Sequence, residues 1–356
     1  MIKIPFYKTS LGEEEKKAIS DVIDNGWVVL GPKTKEFEDM FADYVGASYA
    51  VFVDSGTSAL LMGLQAMKNL ILPKWNRGMG ISDDTSHVFK VPSLTFTATA
   101  EALINSGFQI SFSDVHPKTF CLEDVDLYSL PVNLLGNRAK KGAMIYDSAH
   151  RIEKDDMKNT VFVDEIWCYS LYATKNITTV QGGMICTQSE EIYKWLIKAR
   201  DHGLDLGTKE RYQGKYKQYD VEFVGWRTKG DDLRAVIGIE QLKKLPELTK
   251  KRNYIVECYN RSFDLDRIGN HVYPVIVENR EQFMQFMADK GIQCTVHFRP
   301  LHLMTGYKSY YHNEPLPVTE FLGQHIVSLP LFPQMTYEEI NYVSNAVLES
   351  NQLVKK

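Results

Sequence analysis

The sequence predicts an α/β protein: a large domain on a mixed, mostly parallel central sheet, then a small C-terminal α+β domain. Three observations carry this. Strand-length apolar runs alternate with segments of helical period from Tyr49 onward. The first run turns into a helix through small and hydroxylated residues, the usual place for ligand chemistry in such sheets. The pattern then restarts after a long helical segment as a shorter strand–helix–strand unit. The change of pattern lies near 246–250, which divides the chain into 1–248 and 249–356.

Taken in order, Glu13-Glu14-Glu15 opens an amphipathic helix through Ala18, Ile19, Val22 and Ile23, stopped at Asn25-Gly26. A second helix is expected from about Thr34 to Gly46, then a strand at Tyr49–Val53. Further strands are expected at 88–92, 109–113, 130–136, 143–146, Val161–Tyr169 and 183–187. Helices should follow at 190–199 and from Leu233 to about Phe263, with a break at Pro246. The C-terminal unit reads as strand 271–276, helix 280–290, strand 293–298 and a last helix at 337–348. Residues 72–87 and 204–223 are polar and irregular and read as loops.

Composition narrows the function. The chain has 356 residues, 44% of them hydrophobic and 24% charged, with a net charge of −4. No basic run supports nucleic-acid binding, so an anionic ligand needs local cations. The five cysteines are scattered, without Cys-x-x-Cys spacing, and no His/Cys/Asp cluster suggests a metal. Met1-Ile2-Lys3-Ile4-Pro5 lacks a signal-like apolar core, and no apolar run reaches the ~20 residues that span a bilayer. A reduced, cytoplasmic setting is the expectation.

The candidate chemistry gathers at a few positions. Lys175 follows the 161–169 run among small, hydroxylated and apolar residues. In a partly dry pocket it becomes a candidate amine nucleophile, able to form a Schiff base with a carbonyl or with pyridoxal phosphate. A solvated loop lysine is the plain alternative. The turn Asp54-Ser55-Gly56-Thr57-Ser58 can bind an anion through backbone N–H groups and hydroxyls, or can be an ordinary helix cap. Phe96, at a loop–helix junction, could present its ring to a planar ligand or belong to the core. Asp147 and His150 sit just after a strand, where ligand groups collect, although a cap and a surface histidine would look the same.

Together these pieces resemble the fold-type I pyridoxal-phosphate enzymes, and more narrowly the DegT/StrS-type aminotransferases that act on nucleotide-linked keto-sugars. The resemblance runs through Gly26-Trp27, Gly31-Pro32, Ser55 to Leu60, Pro92 to Phe96, Asp114-Val115, Asp147 to His150, Thr174-Lys175-Asn176, Gly182-Gly183, Asp201-His202-Gly203 and Ser328 to Pro333. It implies that Lys175 carries the cofactor and shuttles the substrate proton, and that Asp147 pairs with the pyridine nitrogen. It implies also that His150 lies beside the ring, that Phe96 stacks on it, and that Ser55, Gly56, Thr57 and Ser170 hold the phosphate. Arg227 replaces a family asparagine that crosses a dimer interface, so it would reach either the cofactor phosphate or the sugar nucleotide. Trp27, Lys229, His297, Arg299 and His302 are the candidate substrate contacts.

The implied activity is transfer of an amino group from L-glutamate to a nucleotide-linked 4-keto-6-deoxy sugar, in a homodimer with shared active sites. Amination at C3 is the alternative. A sugar dehydratase of the same family would have histidine in place of Lys175, and a non-catalytic relative would have little reason to keep Lys175, Asp147 and the phosphate turn. The nucleotide, the sugar and the pathway, lipopolysaccharide or other, stay open.

Overall fold

A computed structural model describes residues 3–74, 87–205 and 218–354. The expected loops at 72–87 and 204–223 therefore lie largely outside the described residues. Among the described residues there are eight strands: β1 (Tyr49–Val53), β2 (Val88–Pro92), β3 (Gln109–Ser113), β4 (Ile145–Asp147), β5 (Ile166–Ser170), β6 (Gly183–Thr187), β7 (Tyr273–Ile276) and β8 (Ile326–Leu329). The central order is β1-β6-β5-β4, with β4 and β5 parallel and β6 antiparallel to both β5 and β1. β2 and β3 form a parallel pair. Residues 128–133 join the two groups: Leu130 N donates to Lys90 O (2.9 Å), and Asn133 N donates to Asp147 O (2.8 Å).

The expected strand at 130–136 is corrected in part by this geometry. The segment fills a strand position but makes only isolated parallel bridges, Lys90–Ser129 and Val132–Asp147. It then turns at Leu135 (φ 58°) and Gly136 (φ 94°), whose left-handed backbone ends the extension. Likewise 293–298 is not a regular strand; Thr295 alone bridges Ser328. The partner strand of the small sheet is β8, antiparallel to β7, preceded by a helix at Pro317–His325. Only the second half of Val161–Tyr169 is strand, with Val161 and Val163 left exposed. The helix Asp232–Phe263 runs through Pro246 without a break. Proline loses one main-chain hydrogen bond there, and the buried Leu245 and Leu248 on either side hold the helix in place.

Both faces of the central sheet are dry. Val51, Val53, Ile145, Ile166, Cys168 and Ile185 point into one core, and Ala50, Phe52, Tyr146, Trp167, Tyr169, Met184 and Cys186 into the other. Side chains on a strand alternate with period two, so this partition follows directly from the register. A third core joins Ile4 to Ile255, Tyr259, β7, β8 and the helix Tyr337–Glu349. Residues 301–316 lean back on the first core through Leu301, Tyr307 and Leu316.

The helix Pro32–Val45 lacks a side-chain cap of its own, because its N-cap is Gly31. Asp232, 2% exposed, supplies one from the start of the long helix: it accepts from Gly31 N (2.9 Å), Lys33 N (3.1 Å), Thr34 N (2.8 Å) and Thr34 Oγ1 (2.7 Å). Replacing Asp232 with alanine leaves these donors unpaired. The expected loss is about 2 kcal/mol of stability, read as a lower urea midpoint against the parent protein.

Candidate active site

Four parallel elements deliver their ends to one edge of the sheet. The C-terminal ends of β1, β2, β4 and β5 lead into Ser55, Phe96, Asp147 and Ser170, and the start of β6 meets them, since Gly183 pairs with both Val53 and Ser170. Asp147 lies opposite Cys168 in the register, so the period of two puts Asp147 and Ser170 on one face, toward the helix Gly56–Ala66. A cavity of about 360 Å³ forms there. Ser55, Gly56, Thr57, Phe96, Asp147, His150, Ser170, Lys175 and His297 all line it, with Thr99, Tyr172, His271 and Phe298.

The helix Gly56–Ala66 presents its first amides to this space, where no intrahelical acceptor exists for them. Ser55 caps it by accepting from Ser58 N (3.1 Å). Gly56 is required by close approach: a Cβ there would lie 2.8 Å from Ser170 Cβ. The strand end and the helix end thus form a cradle that any side chain at 56 would fill.

Asp147 is 4% exposed, and burial raises its pKa against the pull of its donors and of Lys175. Oδ2 accepts from Thr99 Oγ1 (2.8 Å) and Oδ1 from Ala149 N (3.0 Å). Each oxygen keeps a lone pair for a further donor in the cavity. The Lys175 amine is buried, and desolvation lowers its pKa to about 8 against the opposing attraction of Asp147. About a tenth of it is then neutral at pH 7, against roughly one part in 3,000 for an ordinary lysine.

Burial and the nearby Lys175 hold His150, His271 and His297 neutral, with His297 pushed down to about 4. The His150 ring lies 4.3 Å from that of His271 and 5.7 Å from Phe298. Phe96 is 59% exposed at the cavity, with its ring 6.0 Å from Phe298.

The other expected residues lie elsewhere. His302 is 3% exposed, with Nδ1 2.7 Å from Ser93 Oγ and Nε2 3.6 Å from Glu320, which fits a core histidine and not a substrate contact. Lys229 Nζ is held by Asp201 at 2.8 and 2.9 Å. Trp27 donates to Leu30 O (3.3 Å), and Arg299 to Leu303 O (3.3 Å). Arg227 is exposed and bridges Asp201 through its backbone. None of these five lines the cavity of the single chain. Thr99 and His271 went unread in the sequence. The first stands one helical turn after Phe96, the only signal for it; the second opens the segment expected as a strand.

A model of the DegT/DnrJ/EryC1/StrS aminotransferase family matches residues 9–130 and 138–348. The chain belongs to that family. The spore coat polysaccharide biosynthesis protein SpsC of Bacillus subtilis is 28% identical to it, over 97% of this chain and 96% of that protein. Helicobacter pylori PseC, an aminotransferase involved in the biosynthesis of pseudoaminic acid, shares the fold with a TM-score of 0.84 at 20% identity, over 98% and 99% of the two chains. The pyridoxal-phosphate form of a sugar aminotransferase from Streptococcus pneumoniae gives 0.80 at 22%, over 98% of each.

The cofactor of this enzyme is pyridoxal 5′-phosphate, and the residues present fit it. The cradle at Gly56 leaves room for an anion, Asp147 has lone pairs for a ring N–H, and the buried lysine is partly neutral. Attachment of the cofactor to the apoprotein requires the unprotonated amine, so its rate should rise with pH and level off with a midpoint near 8, not near 10.5. Stopped-flow absorbance measures this. Gly56→Ala should weaken cofactor binding by about tenfold or more, since Ser170 cannot retreat from a contact of 2.8 Å without moving β5.

Proposed function

We propose that the enzyme transfers an amino group from L-glutamate to a nucleotide-linked 4-keto-6-deoxy sugar, giving the 4-amino sugar. The observation that carries the transaminase chemistry is the convergence of Lys175 and Asp147 in one buried cavity, beside a helix N-terminus shaped for phosphate. Membership in a family of sugar aminotransferases supports the sugar class. The lysine argues against a dehydratase.

Pyridoxal phosphate, when bound, supplies the electron sink that makes a C–H bond next to nitrogen breakable. The protein does the rest. Gly56 and Thr57 would hold the phosphate through main-chain N–H groups, and Ser55 and Ser170 through their hydroxyls. Asp147 would keep a proton on the ring nitrogen, at the cost already visible in its raised pKa. Lys175, released by the incoming amine, would take the proton from the substrate carbon and return it, a task suited to an amine poised near neutral pH. Phe96 and His150 would bracket the ring and exclude water.

The reading includes the division into 1–248 and 249–356, supported by the separate core around Ile4, Ile255 and β7–β8, and a cytoplasmic setting. No described helix is long and apolar enough to cross a membrane. It includes also a homodimer, in which the exposed Arg227 together with Trp27, Lys229 and Arg299 would meet the nucleotide of the neighbouring site. His302 is left out of it.

Two measurements test the proposal. Glutamate should bleach the visible band of the loaded enzyme, and one nucleotide-linked 4-keto sugar from a panel of 3-keto and 4-keto sugars should restore it. Restoration by a 3-keto sugar alone would move the reaction to C3. Lys175→Ala should abolish turnover, and Asp147→Asn should lower kcat by about a hundredfold or more. Full turnover in the lysine variant would refute the mechanism.

A further inference from the structure

His271 belongs to a chain of side chains whose hydrogen-bond direction is set at one end. Asn270 Nδ2 donates to Glu153 Oε1 (2.9 Å) and to Asn253 Oδ1 (3.0 Å). A carboxylate can only accept, so the amide nitrogen of Asn270 must face Glu153 and its oxygen must face the other way. That oxygen accepts from Asn176 Nδ2 (3.2 Å). The oxygen of Asn176 is thereby turned to His271 Nδ1, 2.9 Å away. An amide oxygen has no proton to give, so Nδ1 must carry one.

Asn270, His271 and Asn176 are each about 5% exposed, so water does not compete for these bonds. The backbone supports the same alignment. Gly136, at φ 94°, lets the chain pass so close to Asn270 that a Cβ there would lie 2.6 Å from Asn270 N. Arg252 Nη1 donates to His271 O (3.2 Å). With Nδ1 engaged, Nε2 is the remaining nitrogen of a ring that lines the cavity, and among the described residues nothing hydrogen-bonds to it. Next to it, His150 Nδ1 accepts from Leu135 N (3.4 Å), which puts the proton of that ring on Nε2. The two rings therefore differ in polarity: His150 offers an N–H and His271 a lone pair.

We propose that Glu153, Asn270 and Asn176 form a polarised relay that fixes His271 as the Nδ1–H tautomer, so that its Nε2 accepts a hydrogen bond from a hydroxyl of the bound sugar. Asn176, Asn270 and Glu153 are positioning residues, and His271 is the contact. Burial first, then the facing Lys175, Arg252 and His297, favour the neutral ring. A ligand group that both gives and takes a hydrogen bond suits the pair of rings, and a hydroxyl does both. The identity of the ligand rests on the keto-sugar reading; the relay does not.

The first test needs no substrate. In protein labelled with ¹⁵N-histidine, the His271 signals, assigned by their loss in His271→Gln, should show a protonated Nδ1 and an unprotonated Nε2. Asn176→Leu should mix the two tautomers. In steady-state kinetics with the ketone that restores the visible band, His271→Phe should raise KM about tenfold with little change in kcat, as for a bond kept through the reaction. His271→Gln, whose amide oxygen can accept near the place of Nε2, should recover most of that loss. A proton on Nε2 in the parent protein, or an unchanged KM in the phenylalanine variant, overturns the proposal. If no ketone restores the band, the keto-sugar reading fails instead, and the tautomer measurement still decides the relay.

Discussion

A sheet buried on both faces leaves its chemistry nowhere to go but the strand ends, and the rest of this structure follows from that constraint. Alternate residues of β1, β4, β5 and β6 are committed to one apolar core or the other, so no polar group can be carried mid-strand without a partner. At the edge the alternation still fixes direction. It turns Asp147 and Ser170 toward the helix that follows β1, and places a carboxylate, a hydroxyl and a helix N-terminus around one space. Geometry set by packing thus does the work of assembling the site before any electrostatic attraction acts.

Electrostatics then decides what each group can do there. Desolvation is the first cause of every large shift in the cavity, and it acts with opposite sign on acid and base: Asp147 is pushed up and Lys175 down. The two limit each other, since either charge is cheaper when the other is present. The three histidines feel burial and Lys175 in the same direction and stay neutral. The cavity therefore has one lysine whose charge can be withdrawn near neutral pH, and around it rings that give or take hydrogen bonds without adding charge of their own.

Much of this was legible in the sequence because it depends on local pattern. The strands at 49–53, 88–92, 109–113 and 183–187 and the helix at 190–199 could be read from apolar period and turn residues, and the strand-end positions of Asp147 and Lys175 came with them. What escaped the reading was set by distant partners. Residues 130–136 are apolar enough for a strand, but Leu135 and Gly136 take left-handed backbone to let 269–271 through. His302, a candidate substrate contact by sequence, is held instead by Ser93, some two hundred residues earlier. Asp232 stands at the opening of one helix, and its carboxylate caps another. Thr99 carries no mark except its distance from Phe96.

The first described residues have a mechanical consequence. Ile4 is fully buried in the C-terminal core and exchanges main-chain hydrogen bonds with Gly291 (2.9 Å) and Gln293 (3.0 Å), while Ser10 O already accepts from Gln241 (3.0 Å) on the long helix. The polypeptide therefore crosses between the C-terminal core and the body of the sheet near residues 5–10, along the helix 232–263, and again on either side of residues 301–316, which pack on the first core. Crossings at several separated places tie the smaller core to the sheet as a strap does, and not as a single hinge. Phe6 lies on the first of these crossings with its ring 5.7 Å from that of His297, so the strap that fastens the two cores also borders the candidate site.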